Sequence, residues 1–396
     1  MAESRRSRLP ATVVALGVVS LLSDIGSEMV FPLLPAFLTH DLKAGTTFLG
    51  LIEGAAESVS SLLKLASGYA ADHLPRRKPF VLFGYGIPAA VRPLLAIAGA
   101  PWQVLAIRVT DRIGKGTRTS PRDALLADAA VEGQSGRAFG FHQAMDDAGA
   151  VCGPLVATGL LALGLHVRSI FLWAAIPGAL AFAVTFVVRE KPAERRGGSA
   201  EKAKPIEPLP EPALFYFLIL AIFAIGNSSD AFLLLQAGNV GLSPRTLPLL
   251  WSAFHVSKVV SSYLGGWASD HVGPLALIVS GWIIFAGVYL GLGFATHALE
   301  VWVLFIVYGL YYGLTTPTEK ALLRSLVPEA ARGRAFGIYN FVVGVSALPS
   351  GLLAGALWNA FGARVALGTG AALAVTSALA LLVWSMRFRR FTRVRA

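Results

Sequence analysis

One cysteine, Cys152, stands in 396 residues, so neither a disulfide framework nor a cysteine metal site can form within one chain. Charge is scarce as well. Asp, Glu, Lys and Arg make up 14% of the chain, against roughly 25% in a soluble domain. No phosphate-binding Gly-Lys loop is present, no Ser, His and Asp follow a recognisable nucleophile order, and the seven His are scattered. No polar stretch is long enough for an ATPase domain. These absences set aside a disulfide scaffold, a hydrolase and an ATP-driven machine, and the remaining residues call for no cofactor and no metal.

What the chain has in quantity is apolar surface: 55% of residues are hydrophobic and the mean hydropathy is +0.63. The excess runs along the whole length, so neither a leader peptide nor one anchor accounts for it. Segments of about twenty apolar residues recur, each able to cross a hydrocarbon core of about 30 Å at about 1.5 Å per residue. Lipid satisfies no backbone amide, so such segments form helices. The pattern predicts an all-α membrane protein with spans at 11–38, 46–70, 79–99, 102–128, 136–164 and 167–188, then 213–239, 244–267, 274–295, 299–324, 334–361 and 364–386. Between the two sets of six lies a polar linker, 189–212, rich in Lys, Arg and Pro. The expected organisation is therefore an N-terminal bundle (1–188), a cytoplasmic linker (189–212) and a C-terminal bundle with a basic tail (213–396).

The net charge of +11 invites a nucleic-acid reading, but its distribution excludes one. With both ends cytoplasmic, the inside segments hold 21 Lys and Arg and the outside loops hold four: Lys43, Arg168, Arg245 and Arg364. That asymmetry is topology information. It implies a multi-pass protein of a bacterial inner membrane with both termini inside and the bilayer as its partner. Nine further Lys and Arg fall within spans.

The halves repeat. Gly68-x-x-x-Asp72-His73 recurs as Gly266-x-x-x-Asp270-His271 at an offset of 198, and Arg137-Ala138-Phe139-Gly140 recurs as Arg334-Ala335-Phe336-Gly337 at 197. Pro121 with Ala124-Leu125-Leu126 matches Pro317 with Ala321-Leu322-Leu323. Duplicated six-span halves with a site between them near mid-membrane are a transporter architecture.

Three motifs carry a resemblance to the major facilitator superfamily over essentially the whole chain. Gly68 to Lys78 resembles its cytoplasmic-loop signature, Gly-x-x-x-Asp followed by a basic cluster. There Gly68, Asp72, Arg76 and Arg77 are expected to form a charge-assisted latch; simple retention of the loop in the cytoplasm is the alternative. Arg108 followed by Asp111, Arg112, Gly114 and Gly116 is similar to the fourth-span pattern, in which an intramembrane Arg assists proton coupling; Arg112 stands where the family has a small residue. Gly140, Gly149, Gly153 and Pro154 resemble the exporter-type antiporter motif, whose small residues let helices approach while the Pro kinks the pivot. The resemblance implies two pseudo-symmetric six-helix bundles and proton-coupled efflux of a small solute, drug-like or a metal complex, by a monomer. Uptake or facilitated diffusion of a small anionic metabolite, suggested by Arg108, Arg112, Lys115, Arg118 and Arg122, and a non-transporting membrane scaffold or assembly factor are the alternatives.

Charges inside the membrane mark a pathway independently of resemblance. An ionisable residue at the bilayer centre costs at least about 2.5–3.5 kcal/mol unless paired or hydrated, so such residues line cavities. Asp24 and Glu28 are i, i+4 on the first span, and Glu53 and Glu57 share that spacing on the second. Arg108, Asp111 and Arg112 lie on the fourth, His142, Asp146 and Asp147 on the fifth, and Asn227 and Asp230 on the seventh. Asp24, Glu28 and Asp230 fall on the first spans of the two halves and are the leading candidates for binding protons or solute. A permanent ion-pair network is the alternative for Glu53, Glu57, Asp111, Arg112 and Asp147. Pro32-x-x-Pro35 is expected to end the first span near the outer surface.

Overall fold

A computed structural model describes residues 9–73, 76–130, 135–190, 209–328 and 331–388; the side chains of 71–73, 135–136, 263–267 and 269–271 fall outside that description. Among the described residues there are helices and no strand. They make twelve spans: α1 (Ala11–Val30), α2 (Thr46–His73), α3 (Lys78–Val91), α4 (Pro101–Ala129), α5 (Ser135–Ala162), α6a (Val167–Trp173) with α6b (Ala175–Thr185), α7a (Glu211–Gly226) with α7b (Asp230–Asn239), α8 (Leu247–Val272), α9 (Pro274–Phe294), α10 (Ala298–Leu326), α11 (Arg332–Phe361) and α12 (Ala363–Arg387). Eight are long and apolar enough to cross a membrane. The other four, α2, α4, α5 and α8, are 26 to 29 residues long, ample at about 1.5 Å per residue. Large apolar side chains such as Phe83, Leu163, Leu218 and Val383 stand exposed, as side chains that face lipid do.

Two spans depart from the sequence expectation. The first does not end at Pro32-x-x-Pro35. It changes pitch there, through a 3₁₀ turn Phe31–Leu33, a short α turn Leu34–Ala36 and a π turn Phe37–Asp41. The two prolines remove amide donors, and the neighbouring turns adopt other hydrogen-bond spacings to continue the helix. The seventh span is not continuous. Asn227 leaves helical geometry at φ −84° and ψ 81°, and the Ser229 hydroxyl then caps α7b by accepting from the amide of Ala231 at 3.3 Å. Asn-Ser-Ser-Asp holds side chains that compete for backbone amides and favour a cap over a helix interior.

The chain gathers into two compact units, 1–33 with 59–200 and 34–58 with 201–396. In the first, Val13, Leu16, Val19, Val81, Tyr85 and Leu126 are at most 2% exposed and anchor a core of α1, α3 and α4. In the second, Trp282, Tyr289, Tyr308, Phe254, Phe285 and Phe305 are all buried to 1% or less. The segment 34–58 belongs to this second unit. A Cβ on Gly50 would collide with the carbonyl oxygen of Gly351, and one on Gly355 would stand 2.5 Å from that of Thr46. Ser58 Oγ donates to the Gly344 carbonyl at 2.7 Å and Thr46 Oγ1 to that of Gly355 at 3.0 Å. Lipid tails are as apolar as side chains, so close packing of small residues and interhelical hydrogen bonds hold such helices together.

Candidate functional site

In the first unit the site is built on the face that α1 presents to α5. Ser20, Asp24 and Glu28 recur every four residues and so stack on one side of α1. On α5, Asp146 accepts a hydrogen bond from the Ser20 hydroxyl. One turn on, a Cβ at Gly149 would stand 2.7 Å from the Leu21 carbonyl oxygen and 2.9 Å from Asp24 Cβ. A further turn on, a Cβ at Gly153 would stand 2.6 Å from the Ile25 carbonyl oxygen and 2.9 Å from Glu28 Cβ. The glycines thus let α5 lie directly against the residues that carry the two carboxylates. Gly153→Leu is expected to force α1 and α5 apart and remove transport, with a lower melting temperature in detergent. Wild-type flux in that variant would show that the close approach is not needed.

Asp24 is half-buried. Among the described residues it has no hydrogen bond or ion pair, and the charges that act on it are Asp146, Lys115, Glu28 and Arg118. The neighbouring carboxylates are held. Asp147 accepts from Gln143 Nε2 at 3.1 Å. Asp111 takes both Nε (2.9 Å) and Nη2 (2.8 Å) of Arg92 on its Oδ1, and Arg92 also donates to the Ser23 carbonyl at 3.2 Å. The sequence did not mark Arg92, although it is one of the cations within a span; its partner lies 19 residues away on the next helix.

The remaining cations of α4 divide between rings and carboxylates. The guanidinium of Arg108 lies 5.8 Å from the Phe31 ring centre. Arg118 lies 4.0 Å from that of Tyr85 and donates to the Gly84 carbonyl (2.8 Å) and to Ser23 Oγ (3.1 Å), while its buried Nε has no partner. Arg122 grips Asp123 at 2.8 and 3.0 Å. Arg112 acts on Asp111, and His142, buried with Nε2 unbonded, sits near Arg122 and Asp146. Glu53, 7% exposed, and the half-buried Glu57 belong to the second unit.

At the loop signature, Gly68 of α2 approaches Ser120 of α4, its Cβ position 3.4 Å away. Arg76 is exposed. Arg77 pairs with Asp128 at the end of α4. The Glu190 carboxylate accepts from the amides of Arg77 (2.6 Å) and Lys78 (3.1 Å), so a negative charge caps the start of α3. The side chain of Asp72 lies outside the described residues. Pro154 is inside α5.

The second unit builds its site on the break in the seventh span. Asp230 opens α7b, where helix amides favour negative charge. Tyr308 donates to its Oδ1 at 2.7 Å, and Tyr312 donates to Oδ2 at 3.2 Å. The Lys258 ammonium lies 4.6 Å from the Tyr312 ring centre. Asn227 Nδ2 donates to Tyr311 Oη at 3.2 Å, and Tyr289 Oη donates to the Ser228 carbonyl at 3.1 Å. Phe254 stacks on Tyr308 with ring centres 5.3 Å apart. The sequence singled out Asn227 and Asp230 but not the tyrosines, whose i, i+3, i+4 positions on α10 form one stripe.

A partly exposed carboxylate with no hydrogen bond or ion pair among the described residues, a broken helix that aims another carboxylate at tyrosines, and closely packed glycines suit a machine that binds and releases while its helices shift. Comparison with known proteins agrees. The model of the Major Facilitator Superfamily matches residues 16–236 and 214–394. An uncharacterized MFS-type transporter of Methanocaldococcus jannaschii is 31% identical over 384 residues, covering 94% of this chain and 95% of that protein. A multi-drug resistance efflux pump homologue of Lactococcus lactis is 25% identical, covering 94% of each. Among solved structures, a bacterial homologue of the human lysosomal transporter Spinster, inward-facing and occupied, aligns with a TM-score of 0.79 at 14% identity, over 97% of this chain and 98% of that one. Twelve helices folded in this way, with family matches over both halves, make the chain a multi-pass membrane transporter of the major facilitator superfamily.

Proposed function

We propose that this transporter exports a small solute from the cytoplasm in exchange for protons, working as a monomer in a bacterial inner membrane with both termini inside. The reading rests on Asp24, an intramembrane carboxyl that protonation can neutralise without breaking a hydrogen bond or an ion pair. Glu28, Asp146, Lys115 and Arg118 tune it, and Arg108 and Arg112 set the positive potential around Asp111. The solute is held by Asn227 and Asp230 with Tyr308 and Tyr312. Gly68, Asp72, Arg76 and Arg77 latch the cytoplasmic side, and α5 pivots at Gly149, Gly153 and Pro154. The efflux pump of Lactococcus lactis supports the outward direction. A second reading, uptake of an anion, is favoured by Arg118, whose hydrogen bonds go to neutral acceptors.

Purified protein in liposomes with an imposed pH gradient tests the proposal, with cationic dyes, drugs, metal ions and organic acids offered in turn. An acid interior should drive accumulation of a drug or dye, and an uncoupler should release it. Accumulation of organic acids instead would favour the second reading, and no flux of any solute would favour a scaffold. Loss of a hydrogen bond to a charged group costs about 1.5–3 kcal/mol. Tyr308→Phe is therefore expected to weaken solute binding roughly 10- to 100-fold with proton coupling retained. Unchanged affinity would move the solute away from Asp230.

A further inference from the structure

Glu319 of α10 is a membrane carboxyl that the proposed exchange does not use. It is 5% exposed. Its Oε1 accepts from Trp282 Nε1 of α9 at 3.1 Å, and its Oε2 accepts from Tyr339 Oη of α11 at 2.6 Å. Tyr216 of α7a and Tyr311 of α10 also face it, and the Tyr216 hydroxyl is buried without a hydrogen-bond partner among the described residues. Among the described residues the one cation that acts on it is Lys320, the adjacent residue, whose side chain is exposed. A carboxylate kept permanently charged in a membrane interior normally takes an Arg or Lys as partner. Here the donors are an indole and a phenol.

The repeat sharpens the contrast. At the offset of 197 that relates Arg137 to Arg334, Tyr85, Arg122 and His142 correspond to Trp282, Glu319 and Tyr339. The first copy centres on a cation that grips Asp123 beside His142. The second copy centres on an acid between hydroxyl and indole groups. The sign of the buried charge has been reversed, and its neighbours changed to groups that serve an acid.

We infer that Glu319 is a second proton-binding site, in the C-terminal half of the chain, whose ionised and neutral forms are both satisfied by the same shell. In the ionised form, indole N–H and phenol O–H each donate to one carboxylate oxygen. On taking a proton from water, the carboxyl keeps its bond from Trp282 and donates its new O–H to Tyr339 Oη. A phenolic oxygen accepts as readily as it donates, so its own hydrogen turns to another acceptor. Tyr216, the buried hydroxyl with no present partner, is the neighbour able to take part. Nothing in this site requires Asp24.

Infrared difference spectroscopy of the full chain in lipid, stepped through pH, reads the site directly. Wild type should show a protonated-carboxyl C=O band that grows with acid, and Glu319→Gln should lack that component. Tyr339→Phe keeps the carboxyl but deletes a donor to its ionised form, so the band should appear about 1 pH unit higher, the tenfold effect of about 1.4 kcal/mol. Identical band titrations in wild type and Glu319→Gln would overturn the inference. Should Glu319→Gln fail to fold, an unmoved band in Tyr339→Phe would do the same. Absence of proton-driven transport in wild type would overturn the exchange proposal and leave this band in place. Conversely, a band that ignores Glu319 would leave coupling at Asp24 untouched.

Discussion

Asp24→Asn is expected to abolish accumulation of solute on a pH gradient while counterflow, which needs no net proton movement, persists at a substantial fraction of the wild-type rate. A proton-coupled carrier needs one carboxyl that is protonated in one access state and ionised in the other. We propose Asp24 for this role because its neighbours are held. Asp111 is gripped by Arg92, Asp123 by Arg122, Asp146 by the Ser20 hydroxyl and Asp147 by Gln143. Protonating any of these would cost an existing interaction, whereas Asp24 has none to lose among the described residues. The charges around it are of both signs, Lys115 and Arg118 against Asp146 and Glu28. A shift of α4 or α5 by a fraction of a helical turn therefore alters the balance, and each tenfold change in proton affinity corresponds to about 1.4 kcal/mol. Radiolabelled counterflow and gradient-driven uptake, measured on the same liposomes, check the split. If Asp24→Asn still concentrates solute, coupling passes to Asp146, Asp147 or Asp230.

The spans are legible in the sequence because hydropathy integrates over about twenty residues, and one Arg or Asp hardly moves that average. The same averaging hides the details that make the site. It carries the seventh span across Asn227, Ser228 and Ser229, where three polar side chains in a row hold a cap signal inside an apolar run. It also passes over Arg92, whose partner on the next helix no local pattern reveals. Asp24 and Glu28 could be placed on one helix face from spacing alone, and Gly149 and Gly153 from their motif. That the second pair lies against the first depends on the register of α1 with α5, which only packing determines. Glu53 and Glu57 look like members of the N-terminal charge group because chain order puts them there. Gly50, Gly54, Gly351 and Gly355 let the start of α2 lie against α11, in the second unit. The tyrosines of α10 were hidden for another reason. Aromatic residues at i, i+3 and i+4 are what any packed helix shows, and their meaning appears only when Asp230 is seen to accept from two of them.

Asp111→Leu is expected to be the most destabilising single substitution in the first unit, and worse than Arg92→Leu. Both residues are buried, at 2% and 7% exposure. Removing one partner of a buried pair costs about 3–5 kcal/mol, because the other charge is left uncompensated. The two removals are unequal here because of what remains. Without Arg92, Asp111 still has Arg112 and Arg108 acting on it. Without Asp111, Arg92 stays buried with the Ser23 carbonyl as its one remaining acceptor among the described residues. Replacing the pair together, Arg92→Met with Asp111→Leu, removes the attraction but also the burden of holding two charges out of water, and such exchanges are often neutral or stabilising. The double variant should therefore melt well above Asp111→Leu and within a few degrees of wild type or higher. Thermal melts of the full chain in one detergent measure the order, and a double variant no better than Asp111→Leu would contradict it. The same protein then separates structure from mechanism. If it folds and carries solute on a pH gradient at the wild-type rate, the Arg92–Asp111 pair only braces the 3₁₀ turn Arg92–Ile97, which continues α3, against α4. If it folds and carries none, Asp111 acts in the proton pathway beside Asp24, and Arg92 is the group that positions it.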